Sequence, residues 1–128
     1  MIPDSDLAVL QSFNGHGSFT LSAYLRLDSP EHRESAENEF MEQMKSQLEE
    51  CGSSSECLEA LQEDMEIVGV YLRSNGTRRQ PGLAIFSCAA ELFWRVYSLP
   101  VPLPTRVCVG PKFNLEPLKE LLGQRQPT

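Results

Sequence analysis

From Ser29 to Tyr71 the chain carries two helical patterns in immediate succession, set between one strand pattern and three later ones. Ser29-Pro30-Glu31 reads as a helix start, with serine capping the first turn and proline placed where no donor is needed. Ala36, Phe40, Met44 and Leu48 then recur on one face to about Glu50, roughly 20 residues and 30 Å of helix. Cys51-Gly52 supplies the stop, and Ser53-Ser54-Ser55-Glu56 forms a capping box for the next helix. Leu58, Leu61, Met65, Val68 and Leu72 continue at steps of three and four, so a second helix runs to about Tyr71. So short a turn predicts an antiparallel helix hairpin, whose apolar stripes must lie on the strands.

The strand before the hairpin is Ser18 to Leu27, where Phe19, Leu21, Ala23, Leu25 and Leu27 alternate with Thr20, Ser22, Tyr24 and Arg26. That period predicts a half-buried strand. After the polar loop Ser74 to Gly82 come Leu83–Cys88 and Leu92–Leu99, joined by Ala89-Ala90-Glu91, a connection short enough for a hairpin. Pro100, Pro102 and Pro104 force an extended crossing to Arg106–Val109, which Gly110-Pro111 ends. Asn114 caps a final helix with Leu115, Leu118, Leu121 and Leu122 as its stripe and Gly123 as its stop. The expected fold is α+β: a four-stranded, mostly antiparallel sheet, a long helix hairpin between strands 1 and 2, and a short C-terminal helix. The helices are expected over one face. All 128 residues read as a single domain, with 1–17 as an N-terminal helix and loop, 18–123 as the core and 124–128 as a tail or linker start.

No apolar run approaches the ~20 residues of a membrane span, and Asp4 and Asp6 stand where a signal peptide would carry cations. The chain reads as cytoplasmic. Cys51, Cys57, Cys88 and Cys108 lack the paired spacing of a zinc site, and His16 and His32 lie far from them, so the cysteines read as reduced and structural. No metal or cofactor is expected.

Charge is unevenly spread. Residues 28–66 hold 13 Asp and Glu against Arg33 and Lys45, whereas residues from Val68 onward hold eight basic side chains against Glu91, Glu116 and Glu120. Such polarity orients a protein on a charged partner. No phosphate-cradling glycine loop and no G-x-S-x-G elbow is present. His16 and His32 read as solvated, and no carboxylate is marked as perturbed. Phe86, Phe93, Trp94 and Tyr97 invite a base-stacking reading, which alternation weakens by turning two of them to the core. Arg73, Arg78 and Arg79 are the best candidates for phosphate contact, followed by Arg106 and Lys112.

The order of parts resembles the N-terminal domain of the archaeo-eukaryotic class I peptide chain release factors, particularly their bacterial relatives. The resemblance runs from about Ser18 to Leu122. It is carried by SAYLRLD (Ser22–Asp28), PGLAIFSC (Pro81–Cys88), RVCVGPKF (Arg106–Phe113) and EPLKELL (Glu116–Leu122). It implies a four-stranded sheet with a helix hairpin. In stop-codon readers of the family the hairpin turn carries Gly-Thr-Ala-Ser-Asn-Ile-Lys-Ser. Here Gly52-Ser53-Ser54-Ser55-Glu56-Cys57-Leu58-Glu59 occupies that place, keeping Gly52 and Ser55 but exchanging the lysine for Leu58 and adding Glu56 and Glu59. Two added anions repel an RNA backbone, which argues against codon decoding. The family's hydrolytic Gly-Gly-Gln tip is matched only by Gly123-Gln124. The resemblance therefore implies a non-catalytic, ribosome- or RNA-directed domain acting in rescue of stalled ribosomes, with the tip Gly52–Glu56 as a contact point. The alternative is a protein-interaction module whose acidic hairpin docks a basic partner. Neither needs a membrane or a small-molecule substrate.

Overall fold

The computed structural model describes residues 4–13, 19–51, 55–76 and 81–125. In chain order they form α1 (Asp4–Ser12), β1 (Thr20–Arg26), α2 (Pro30–Cys51), α3 (Ser55–Tyr71), β2 (Gly82–Cys88), β3 (Phe93–Leu99), β4 (Arg106–Gly110) and α4 (Glu116–Arg125). A wide π turn, Leu72–Gly76, extends α3 into what reads as loop in the sequence. Ser29 caps α2 as expected, its Oγ accepting from the His32 amide at 3.2 Å. The cap of α3 at Ser53 and Ser54 lies outside the described residues. Gly123 does not stop α4, which runs on to Arg125; a helical glycine costs about 1 kcal/mol but does not bar the turn.

The four strands form one antiparallel sheet in the order β3-β2-β1-β4. The fold class and the hairpin's place in it are as expected, but the layering is not. Helices cover both faces. On the first face, Ala36, Phe40 and Met44 of α2 and Leu61 and Val68 of α3 pack on Leu21, Ala23, Leu25, Leu83, Ile85 and Val107. On the second, Leu10 of α1 and Phe113, Leu115 and Leu118 pack on Tyr24, Ala84, Phe86 and Leu99. β1 is accordingly buried at every position except Arg26, rather than half-buried.

Its polar positions hold the segment leading to α4. Thr20 donates to the Gly110 carbonyl at 2.9 Å, the Asn114 amide donates to Ser22 Oγ at 2.8 Å, and Tyr24 donates to the Asn114 carbonyl at 2.5 Å. Burial pushes the Tyr24 hydroxyl pKa well above its ordinary value, so it remains a donor. Polar residues that read as solvent-facing are thus satisfied inside the fold.

The proline-paced crossing runs along one end of the sheet, against the start of β2. A Cβ on Gly82 would stand 2.7 Å from the Val101 carbonyl oxygen, so the close approach requires glycine there. At the outer edge of β4, Gln43 donates to the Thr105 carbonyl at 2.9 Å and accepts from the Val107 amide at 2.8 Å. One helical turn on, Gln47 accepts from the Val109 amide at 3.2 Å. Two glutamines on α2 therefore occupy backbone groups that an added strand would need.

Candidate docking surface beside the outer strand

β3 forms the other edge of the sheet, and α3 lies over β2 beside it. Between them opens a cleft of about 200 Å³, lined by Glu63, Ile67, Ser87, Ala89, Leu92, Phe93 and Trp94. Its apolar rim is exposed. Ile67 is 39% and Leu92 95% accessible, and Val70, further along α3, is 54% accessible. α3 from Ser55 to Tyr71 contains no lysine or arginine, and Glu59, Glu63 and Glu66 are exposed on it. The surface thus combines aliphatic side chains with negative charge that no lysine or arginine of α3 offsets.

Leu92 owes its position to an unfavourable backbone. The short 3-10 turn Ala89–Glu91 ends at Leu92 with φ 54° and ψ 36°, and the Leu92 amide donates to the Ala89 carbonyl at 3.1 Å. A left-handed leucine costs about 1–2 kcal/mol, and glycine or asparagine would fit better. Nothing in the packing requires an exposed leucine there.

Asp64 holds the base of this corner. Its Oδ1 accepts from Ser87 Oγ in a very short hydrogen bond and from the Ala89 amide at 2.9 Å. The side chain is buried, and Oδ2 has no hydrogen-bond partner among the described residues. Burial raises the carboxyl above the ordinary carboxylate range, while the Ser87 and Ala89 donors pull it back down. The same donors fix the turn that presents Leu92. Cys88, next to Ser87, is a free buried thiol whose pKa burial also raises.

The residues singled out for RNA contact do not meet at one place. Arg73 pairs with Glu37 at 3.1 Å and donates from Nε to the Gly69 carbonyl at 3.2 Å. Arg106 starts β4 and Lys112 follows its other end, so the length of the strand separates them. Lys112 lines a polar cleft of about 430 Å³ with Lys119, Glu116 and Gln11. Arg78, Arg79, Gly52, Ser53 and Ser54 lie outside the described residues, as does His16. Ser55 and Glu56 begin α3, and nothing is described of their side chains or those of Cys51 and Cys57.

The aromatic side chains are taken up by packing. Phe86 is buried, Phe93 packs between Phe13 and Phe113, Tyr97 donates to Asp6 at 2.9 Å, and Trp94 meets Tyr71 edge-on at 5.7 Å. His32 Nδ1 lies 2.6 Å from Ser29 Oγ and 3.5 Å from Asp28 Oδ1. Both oxygens address one ring nitrogen, whereas a nucleophile–base–orienter chain needs them on opposite nitrogens. The group belongs to the helix cap.

Two sequence signals for the surface were present. Asp64 occupies an apolar register of α3, three residues after Leu61 and four before Val68, and Leu92 stands where a turn would take glycine. Among the described residues no cluster of three or more His, Cys, Asp or Glu could hold a metal, and no helix is long and apolar enough to cross a membrane. Neither a protein-family model nor a curated protein sequence matches the chain, so what the surface does has to follow from its own geometry.

Proposed function

We propose that this chain is a non-catalytic binding domain that docks a basic protein segment on the surface formed by α3 and the start of β3. The observation that carries the reading is Leu92, held almost fully exposed in a left-handed conformation at the mouth of an apolar cleft bordered by Glu63. Local strain combined with an exposed apolar side chain is a mark of a functional position. The ribosome-directed reading rests on the release-factor resemblance and the basic second half of the chain. Its described cations are dispersed, which makes the acidic surface the better-supported proposal.

The test compares two fluorescein-labelled probes by anisotropy: the synthetic peptide Gly-Lys-Thr-Val-Thr-Lys-Gly and a single-stranded ribo-oligonucleotide. The peptide should bind, and replacing Glu63 and Glu66 together by lysine should weaken it about tenfold. Leu92→Gly should weaken it without lowering thermal stability. RNA binding tighter than the peptide's, lost on Arg73→Ala with Arg106→Ala and Lys112→Ala, would replace this reading with the RNA-directed one.

A further inference from the structure

The two edges of the sheet are treated differently. At β4 the outward amides of Val107 and Val109 are held by Gln43 and Gln47 of α2, respectively. Carried across the antiparallel registers, the same alternation turns the backbone groups of Trp94 and Val96 outward from β3. The Trp94 carbonyl accepts from Arg95 Nη1 at 2.9 Å, which agrees with that phase. The Arg95 guanidinium also rests 4.7 Å from the Phe93 ring centre, on an exposed side chain able to move aside. Among the described residues no strand lies beyond β3.

We infer that the partner segment binds in extended form, adding a fifth, antiparallel strand to β3 in the groove beside α3. The inference rests on the docking reading above. Strand addition takes affinity from main-chain hydrogen bonds and specificity from alternate side-chain pockets. Trp94 and Val96 face α3, and Trp94 lines the cleft with Ile67 and Glu63, so an incoming residue opposite Trp94 projects toward Ile67 and the apolar cleft. Residues two positions away on the same side reach Glu63 or Glu66 and should be lysine or arginine. The intervening residues point to the other face, beside Arg95 and Tyr97, where neutral polar side chains fit and cations do not. The recognised chemistry is therefore basic–polar–aliphatic–polar–basic. A second copy of this chain is a poor occupant, because edge-to-edge pairing would bring two acidic α3 faces together.

Backbone methylation of the same peptide tests the geometry. In an antiparallel pairing the valine opposite Trp94 directs its N–H at β3, and the flanking threonines direct theirs to solvent. N-methylvaline should weaken binding about tenfold or more, and N-methylthreonine should change it by about twofold at most. Val96→Pro removes the outward N–H while sparing the β2 ladder, and should also abolish binding with the circular-dichroism spectrum retained. If both methylated peptides bind like the parent, strand addition is wrong although docking on the acidic surface stands. If the unmodified peptide does not bind, the docking reading itself falls. Dimerisation of the chain that Val96→Pro abolishes would overturn the inference by making a second copy the occupant.

Discussion

Asp64 offers the sharpest test of how the corner beneath Leu92 is built. Asp64→Ala removes the acceptor for the Ser87 hydroxyl and the Ala89 amide together. A buried donor left without a partner costs about 1–3 kcal/mol, and the Ala89 amide is only partly buried, so the loss should be about 2–4 kcal/mol. Asp64→Asn keeps an oxygen for both donors and should change stability at pH 7.5 by about 1 kcal/mol or less. The pH dependence separates charge from hydrogen bonding. The folded pKa of Asp64 is raised, so its contribution is fully present below the unfolded value near 3.8 and is lost as pH rises through the folded value. Acidification from pH 7.5 toward 4 should therefore stabilise the native protein relative to Asp64→Asn. Asp28 acts in the opposite sense, because its hydrogen bond to Arg26 lowers its pKa; its contribution is lost only below about pH 4. Urea unfolding of both proteins across pH 4–7.5 measures the difference. An Asp64→Ala loss under about 1 kcal/mol, or identical pH profiles for wild type and Asp64→Asn, would refute the account.

Two further substitutions probe the scaffold by thermal or urea unfolding. Gly82→Ala should destabilise by about 2–3 kcal/mol, because its Cβ meets backbone at Val101, whereas Gly69→Ala meets only the movable Met41 methyl and should stabilise by up to about 1 kcal/mol. Gln43→Ala should cost about 1–2 kcal/mol for its two backbone hydrogen bonds and, by opening the β4 edge, raise self-association in sedimentation velocity.

The release-factor resemblance and the docking surface draw on different parts of the chain. The resemblance rests on strand and helix order, whereas the surface rests on one turn and one helix face. They meet in the acidic hairpin. In sequence it argues against RNA at the tip, and in three dimensions it provides one wall of the groove beside β3.

Element order was legible because helical and strand periods are local properties. The stripe Ala36, Phe40, Met44 and the capping of α2 by Ser29 are written within a few residues of each other. The second layer was not legible. Thr20, Ser22 and Tyr24 carry groups that water or protein can satisfy equally, and only their long-range bonds to Gly110 and Asn114 decide between them. The dispersal of Arg73, Arg106 and Lys112 is likewise a matter of where the end of α3 and the two ends of β4 fall. Sequence by itself determined the α+β order, the hairpin and the charge split, because these depend on neighbours in the chain. Tertiary structure alone decided that both sheet faces are covered, that two glutamines close one edge, and that Leu92 stands exposed beside the other. Each of those outcomes joins segments tens of residues apart, and no local preference encodes such a meeting.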